Sequence, residues 1–357
     1  MHKSRVWMFF VALAGLCWGV YVPLVAEGGK ELHFNGYAAF LCVGAAYFLI
    51  AILLPLAVLW ARGKGPSWNA SGVTYSTFAG VAGAIGALCV ILAVGEFHGP
   101  KIFVAPVIFA LAPVINTLVS LFWHPDEGAF TIGLPREKPH WTLYLGILFA
   151  GAGAGLVLLA KELTEAVDAK APAAQSNPLY LLFVLLAGLS WGVYVPLIAQ
   201  GGKTLKSSYA SFLCVGAAYF LIAILFPLGM FGMRGFPTFN IPGTTLATLA
   251  GAAGAVGALC VIFATFEFQG PRIYVAPVIF ALAPVINTIV SLFWHPTPDA
   301  PWTMGPPTEP PHWLLYVGIV AAGVGAGMVL FAKELTEAKH AAHARASAPI
   351  ISEAIRP

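Results

Sequence analysis

Long apolar runs separated by short polar breaks make up most of this chain. The first run covers residues 6 to 26 and ends at EGGKELHFN, and the next covers 37 to 60. Others follow at 72–97, 102–123, 141–160, 179–199, 209–231, 244–268, 273–294 and 313–332. A helix crossing a hydrocarbon layer of about 30 Å needs roughly 20 residues, so each run is long enough to span a membrane. The pattern predicts ten transmembrane helices and an all-α integral membrane protein. MHKSR followed by an apolar run resembles a secretory signal, but a copy of that run begins at Leu179 in mid-chain, so it is read as the first helix.

The runs are related in pairs. GLCWGVYVPL at Gly15 returns as GLSWGVYVPL at Gly188, FLCVGAAYFLIAIL at Phe40 returns at Phe212, and KELTEA at Lys161 returns at Lys333. VAPVIFALAPVINT stands at Val104 and again at Val275, and between 102–125 and 273–296 only two positions differ. The chain is a duplicated unit. It divides into a first five-helix repeat (1–170), a linker (171–177), a second repeat (178–338) and a tail (339–357) expected to be disordered.

Composition agrees with a lipid environment: 59% of the 357 residues are hydrophobic, 9% are charged, and mean hydropathy is +0.85, against about 25% charged in a soluble domain. The net charge of +3 has no basic cluster or phosphate loop behind it, so nucleic acid is not an expected partner. The five cysteines lie in apolar runs without CxxC spacing, and neither a metal nor a cofactor is expected. Lys and Arg carry topology instead. With both termini cytoplasmic, thirteen fall on the inside and five on the outside. Because five crossings per repeat is an odd number, the second copy must enter from the opposite side. The expected architecture is two inverted five-helix repeats, placed in the cytoplasmic membrane of a bacterium.

Inverted repeats suit alternating access around a mid-membrane site, marked by Gly- or Pro-interrupted segments in both halves. Pro106 and Pro113, with copies Pro277 and Pro284, meet that description, as do Pro23 and Pro196 in the first helix of each repeat. A helical proline leaves the carbonyl four residues back without its partner, and in hydrocarbon that carbonyl must face protein or water. Asn116 and Ser120 share the stripe with Pro113, and Asn287 and Ser291 repeat it. They are candidates for solute contact, although amides also join helices in membranes. Trp18 and Tyr21, copied as Trp191 and Tyr194, lie one turn apart and would either stack on the ring of a solute or pack between helices. Glu96 and Glu267 end the third and eighth spans before Gly-Pro turns. With His98 and Glu27 they are the candidates for proton coupling if desolvated, and interfacial charges if not. The small-residue runs at Gly80, Gly83 and Gly86 and at Gly151, Gly153 and Gly155, with their copies, are read as packing surfaces.

The Trp-Gly pair of the first helix, the small-residue third helix, the proline midway along the fourth and the GAGAGLVLL fifth resemble the EamA-type unit of the drug/metabolite transporter superfamily, twice over nearly the whole chain. That resemblance implies ten helices in two inverted repeats, with the first, third and fourth of each lining a cavity, and it favours Trp18, Tyr21, Glu96, Asn116 and their copies. Units of that family often carry an arginine in the second helix and an acidic residue after the fourth; here the second helix reads AAFLCVGAAYFLIAIL and the fourth ends in WHP. The Gly-Gly pairs after the first helices (Gly28, Gly29; Gly201, Gly202) resemble the superfamily's sugar-porter branch. The expected function is secondary transport of a small neutral, sugar-like metabolite, with the solute, the bilayer and protons as partners. The alternative is proton-coupled export of amines, drugs or amino acids. An enzyme is disfavoured: His98, His124 and His295 belong to no HExxH or triad arrangement. A purely structural role would not call for matched prolines and asparagines.

Overall fold

The computed structural model describes residues 6–63, 65–128, 130–135, 138–167, 177–268, 272–297, 300–307 and 310–346. Most of the expected linker, at 171–176, lies outside them. The described chain is built of helices joined by short turns: α1 Val6–Glu31, α2 Gly36–Arg62, α3 Ala70–Glu96, α4 Lys101–Phe122, α5 Thr142–Val167, α6 Leu179–Leu205, α7 Ser208–Arg234, α8 Ile241–Glu267, α9 Arg272–Phe293 and α10 Leu314–Ala346. Among the described residues nine stretches are long and apolar enough to cross a membrane, and the described apolar part of α9, Val278–Phe293, is shorter. An integral membrane protein is the direct reading. Large apolar side chains such as Leu49, Leu148, Leu182 and Val320 are exposed on the outer surface, where only lipid makes them inexpensive. Exposed Trp60, Trp68, Trp141 and Trp313 stand near helix ends, as at a bilayer interface.

Local sequence sets the helix starts. Asn35, Asn69, Ser207 and Asn240 accept from the backbone N–H three residues on and cap α2, α3, α7 and α8. Two of these caps also tie the chain together. The Asn69 amide donates to the Thr204 carbonyl at 3.0 Å, and that of Asn240 donates to the Glu31 carbonyl.

Packing recurs with the halves exchanged. Helix α1 runs against α8 and α9, as α6 runs against α3 and α4; α2 packs on α8, as α7 packs on α3; α5 and α10 pack on each other. Missing side chains permit the closest approaches. A Cβ on Gly251 would lie 2.6 Å from Val43 Cα, and one on Gly80 2.7 Å from Val215 Cα. In the fifth-helix run only the middle glycine meets a neighbouring backbone: Gly153 faces Ala322 and its copy Gly325 faces Ala150, while Gly151 and Gly155 face open space.

Helical structure continues through Pro23, Pro106, Pro113, Pro196, Pro277 and Pro284. The wide turns fall elsewhere. Phe48–Leu53 and Phe220–Leu225 are π-helical, just before Pro55 and Pro227. Each of those prolines leaves the carbonyl four residues back, Ala51 or Ala223, without its usual donor. The freed oxygens face the other half, so near to Gly216 and Gly44 that an added Cβ would come within 2.5 and 2.6 Å of them. Shorter π turns end α3 and α8 at Leu92–Glu96 and Phe263–Glu267. The tail departs from expectation at its start: α10 continues to Ala346, because the stretch AKHAAHARA is rich in alanine, the strongest helix former. Residues 347–357 lie outside the described part.

Candidate functional site

Eight aromatic side chains, four from each copy, converge between the halves. Trp18 and Tyr21 come from α1, Tyr47 from α2 and Phe109 from α4; Trp191, Tyr194, Tyr219 and Phe280 are their counterparts. With Gly83, Ala87, Gly254 and Ala258 they line a chamber of about 60 Å³. Tyr47 and Tyr219 stack face to face at its centre, 3.6 Å apart and 2° from parallel. Phe109 lies 6.1 Å from Trp191 and 6.2 Å from Phe280, Phe280 lies 6.3 Å from Trp18, and Tyr21 stands edge-on to Trp191 at 6.1 Å.

The third helix of each repeat holds these rings. Trp18 Nε1 donates to the Gly254 carbonyl at 3.4 Å, and Trp191 Nε1 to the Gly83 carbonyl at 3.3 Å. One turn further on, the indoles lie over Gly257 and Gly86, where an added Cβ would stand 2.4 and 2.3 Å from the ring. The glycines read as packing residues are therefore the berths of the tryptophans. With the indole N–H groups engaged, the walls are almost wholly carbon. The chamber's polar atoms include the hydroxyls of Tyr21, Tyr47, Tyr194 and Tyr219, and that of Tyr21 is buried without a hydrogen-bond partner.

Trp18, Val195 and Phe280 also line a second cavity of about 110 Å³, together with Asn116, Pro196, Thr265 and Phe266. Phe266 also lines a third, of about 440 Å³, among Arg62, Lys203, Lys206 and Glu267 at one end of the bundle.

Of the residues expected at a site, Trp18, Tyr21, Trp191 and Tyr194 meet at the chamber. The amides do not. Asn116 is 1% exposed, lines the second cavity and leaves its Oδ1 unpartnered. Asn287 is fully buried and donates to the Lys101 carbonyl at 3.3 Å, at the first residue of α4, with its Oδ1 also unpartnered. Ser291 Oγ is buried without a partner, and Ser120 is half-buried. Pro23, Pro106, Pro113, Pro196 and Pro284 are buried, and the Pro277 side chain lies outside the described residues. The Pro284 carbonyl accepts from Thr288 Oγ1 at 2.9 Å.

The titratable candidates stand apart from the aromatic chamber, at helix ends. Glu96 and His98 are exposed, and the His98 ring stands edge-on to Phe34 at 4.8 Å. Glu267 is exposed and accepts from Ser208 Oγ at 3.0 Å. Glu27 forms an ion pair with Lys101 and lies 3.9 Å from Lys30. His124 and His295 each bond a carbonyl of their own following loop, Leu134 and Pro306, at 3.0 Å. Among the described residues no three His, Cys, Asp or Glu side chains gather as a metal site.

Tyr47, Tyr219, Phe109 and Phe280 were not among the candidates. The two phenylalanines sit inside VAPVIFALAPVINT four residues before Pro113 and Pro284, a spacing that could have singled them out.

Comparison with known proteins bears on the fold alone. No protein-family model and no curated protein matches the chain. A solved structure titled "Crystal structure of protein" is similar over 93% of this chain and 99% of its own, with a TM-score of 0.53 and 18% identity.

Proposed function

We propose that this chain is a secondary transporter that moves a small organic solute by alternating access, built as two inverted five-helix repeats of the EamA type in a bacterial cytoplasmic membrane, with both termini inside. The observation that carries the reading is the chamber: matching aromatic residues of the two copies enclose one space between the halves, and a second cavity shares Trp18, Val195 and Phe280 with it. Contacts between chain ends support the inverted topology. Ser67 and Asn69 bond Leu205 and Thr204; Asn240 bonds Glu31; the His140 N–H reaches Thr164's counterpart Thr336, and the His312 N–H reaches Thr164. Each contact joins segments that ten alternating crossings put on the same side.

The chamber's size bears on mechanism. Its 60 Å³ is far below the roughly 300 Å³ at which pockets for drug-sized ligands begin. The aromatic rings are closed together, so loading a solute requires the Tyr47–Tyr219 stack and its neighbours to separate. Rocking of one half against the other would do this. An occupant would meet indole and phenol faces, few hydrogen-bonding groups and no fixed charge. This suits a neutral solute with a flat or ring-shaped carbon face and a hydroxyl or carbonyl for Tyr21. A sugar stacked by its C–H face fits if most of its hydroxyls point toward the second cavity and Asn116. Export of an amine or amino acid is the alternative, with Glu96 and Glu267 as proton carriers.

The test is a thermal-shift screen of purified protein against sugars, nucleosides, amino acids and amines, followed by uptake into liposomes with and without a pH gradient. Stabilisation by one class, abolished in Trp18→Ala/Trp191→Ala, would support the chamber. Stabilisation unchanged in that variant but lost in Asn116→Ala/Asn287→Ala would move the site to the amides. Proton coupling requires uptake driven by the gradient in the native chain and lost in Glu96→Gln/Glu267→Gln.

A further inference from the structure

The outermost cavity has chemistry of its own. Arg62 ends α2, Lys203 lies in the last turn of α6, Lys206 follows it, and Ser207 and Ser208 open α7. An adjoining cleft of about 490 Å³ is again lined by Arg62, Lys206 and Ser207, with Leu59, Gly65 and Pro66. Three cationic side chains thus border one space at the junction of the two halves. The Arg62 guanidinium rests over the Tyr209 ring, 4.7 Å from its centroid, which positions it without neutralising it. Glu267, the acidic residue of the cavity, accepts from Ser208 and forms no ion pair with the three cations among the described residues.

The duplicated unit supplies an internal comparison. At the position matching Lys203, the first copy has Lys30, which lies 3.9 Å from Glu27. Glu27 also holds Lys101. In the second copy Glu27 is replaced by Gln200, and His33 by Lys206. At one end an acid pairs with both lysines, while at the other the matching acid is gone and a cation has been gained. A helix C-terminus favours a nearby cation, but that does not relieve the mutual repulsion of three cations around one cleft.

We propose that this cleft binds a net-negative phosphate group, carried either by the headgroup of an anionic phospholipid or by a soluble phosphorylated molecule. Arginine presents a planar fork of donors that matches phosphate oxygens, lysines add point charge, and serine hydroxyls complete the set. The cleft lies at helix ends, on the side where the charge count places the cytoplasm and where anionic lipids concentrate. An occupant would bridge Arg62 of the first copy to Lys203 and Lys206 of the second, beside Phe266.

The experiment measures thermal unfolding of the full chain in neutral detergent at fixed ionic strength. It compares added dioleoylphosphatidylglycerol, dioleoylphosphatidylcholine and inorganic phosphate, and native mass spectrometry counts the phosphatidylglycerol retained. Phosphatidylglycerol should raise the midpoint more than phosphatidylcholine. Arg62→Gln/Lys206→Gln should weaken the apparent affinity at least tenfold and Arg62→Lys should weaken it less, while Lys30→Gln retains it. Competition by millimolar phosphate would identify a site open to soluble phosphates, and its failure would identify a headgroup site. Equal effects of the two lipids with none from phosphate, or a response unchanged in Arg62→Gln/Lys206→Gln, would overturn the proposal. Neither result depends on whether the chain transports anything.

Discussion

Replacing Gly257 by alanine tests whether the third helices are built as berths for the chamber's tryptophans. The new Cβ would stand 2.4 Å from Nε1 and Cδ1 of Trp18, about 1 Å inside ordinary contact, so the indole must move. Phe280 beside it and the Gly254 carbonyl it bonds both resist that movement. Overpacking costs about 1–3 kcal/mol, and loss of the hydrogen bond adds about 1 kcal/mol. The gain from replacing a helical glycine by alanine offsets up to about 1 kcal/mol. The net expectation is a loss of about 1–3 kcal/mol, read as a fall of several degrees in the unfolding midpoint followed by tryptophan fluorescence in detergent. In a Trp18→Ala background the collision is gone and alanine at 257 should be neutral or mildly stabilising. The coupling between the two sites should therefore be at least about 1 kcal/mol. Gly86 and Trp191 should repeat the result. A neutral Gly257→Ala, or the same loss with and without Trp18, would refute the reasoning.

Other expectations follow from the same geometry. Gly44→Ala would set a methyl 2.6 Å from the Ala223 carbonyl oxygen, where only backbone can yield, whereas Gly29→Ala meets nothing within 4 Å; the first should lower the unfolding midpoint and the second should hold or raise it. Glu27→Gln removes the partner of Lys101 and Lys30 and should cost about 1 kcal/mol at low salt, less in high salt because partly exposed pairs are screened; an equal loss at both salt concentrations would contradict the ionic account. Once a stabilising solute is identified, Trp18→Ala should weaken its binding at least tenfold, a loss of about 1.4 kcal/mol, in calorimetric titration of protein shown to be folded.

Much of this fold can be read in the chain because lipid imposes few solutions: buried backbone must form helices, and about 20 apolar residues make one crossing. Repetition then exposes residues that apolar composition would hide. Trp18 and Tyr21 stand out because GLxWGVYVPL occurs twice, and they do meet their copies. Tyr47 and Tyr219 belong to an equally repeated phrase, but AAYFLIAIL is apolar on every side and has no feature that separates a lipid-facing ring from a buried one. That separation comes from the crossing of α2 and α7 at Gly44 and Gly216. Depth along a helix also proved a poor guide to position. Asn116 and Asn287 occupy matched places in sequence, yet Asn287 bonds the end of α4 while Asn116 faces a cavity beside the chamber. Helix neighbours, which the pattern of one segment does not encode, decide where such a side chain points.

The chamber is proposed as the solute site of an alternating-access carrier. Counterflow in proteoliposomes tests this directly: vesicles are loaded with unlabelled solute chosen from the thermal-shift screen, and uptake of the labelled form is followed without any ion gradient. A carrier predicts saturable uptake that is accelerated by solute on the far side and lost in Trp18→Ala/Trp191→Ala. Flux that is unsaturable and indifferent to solute on the far side, or no flux for any solute that stabilises the protein, would contradict it.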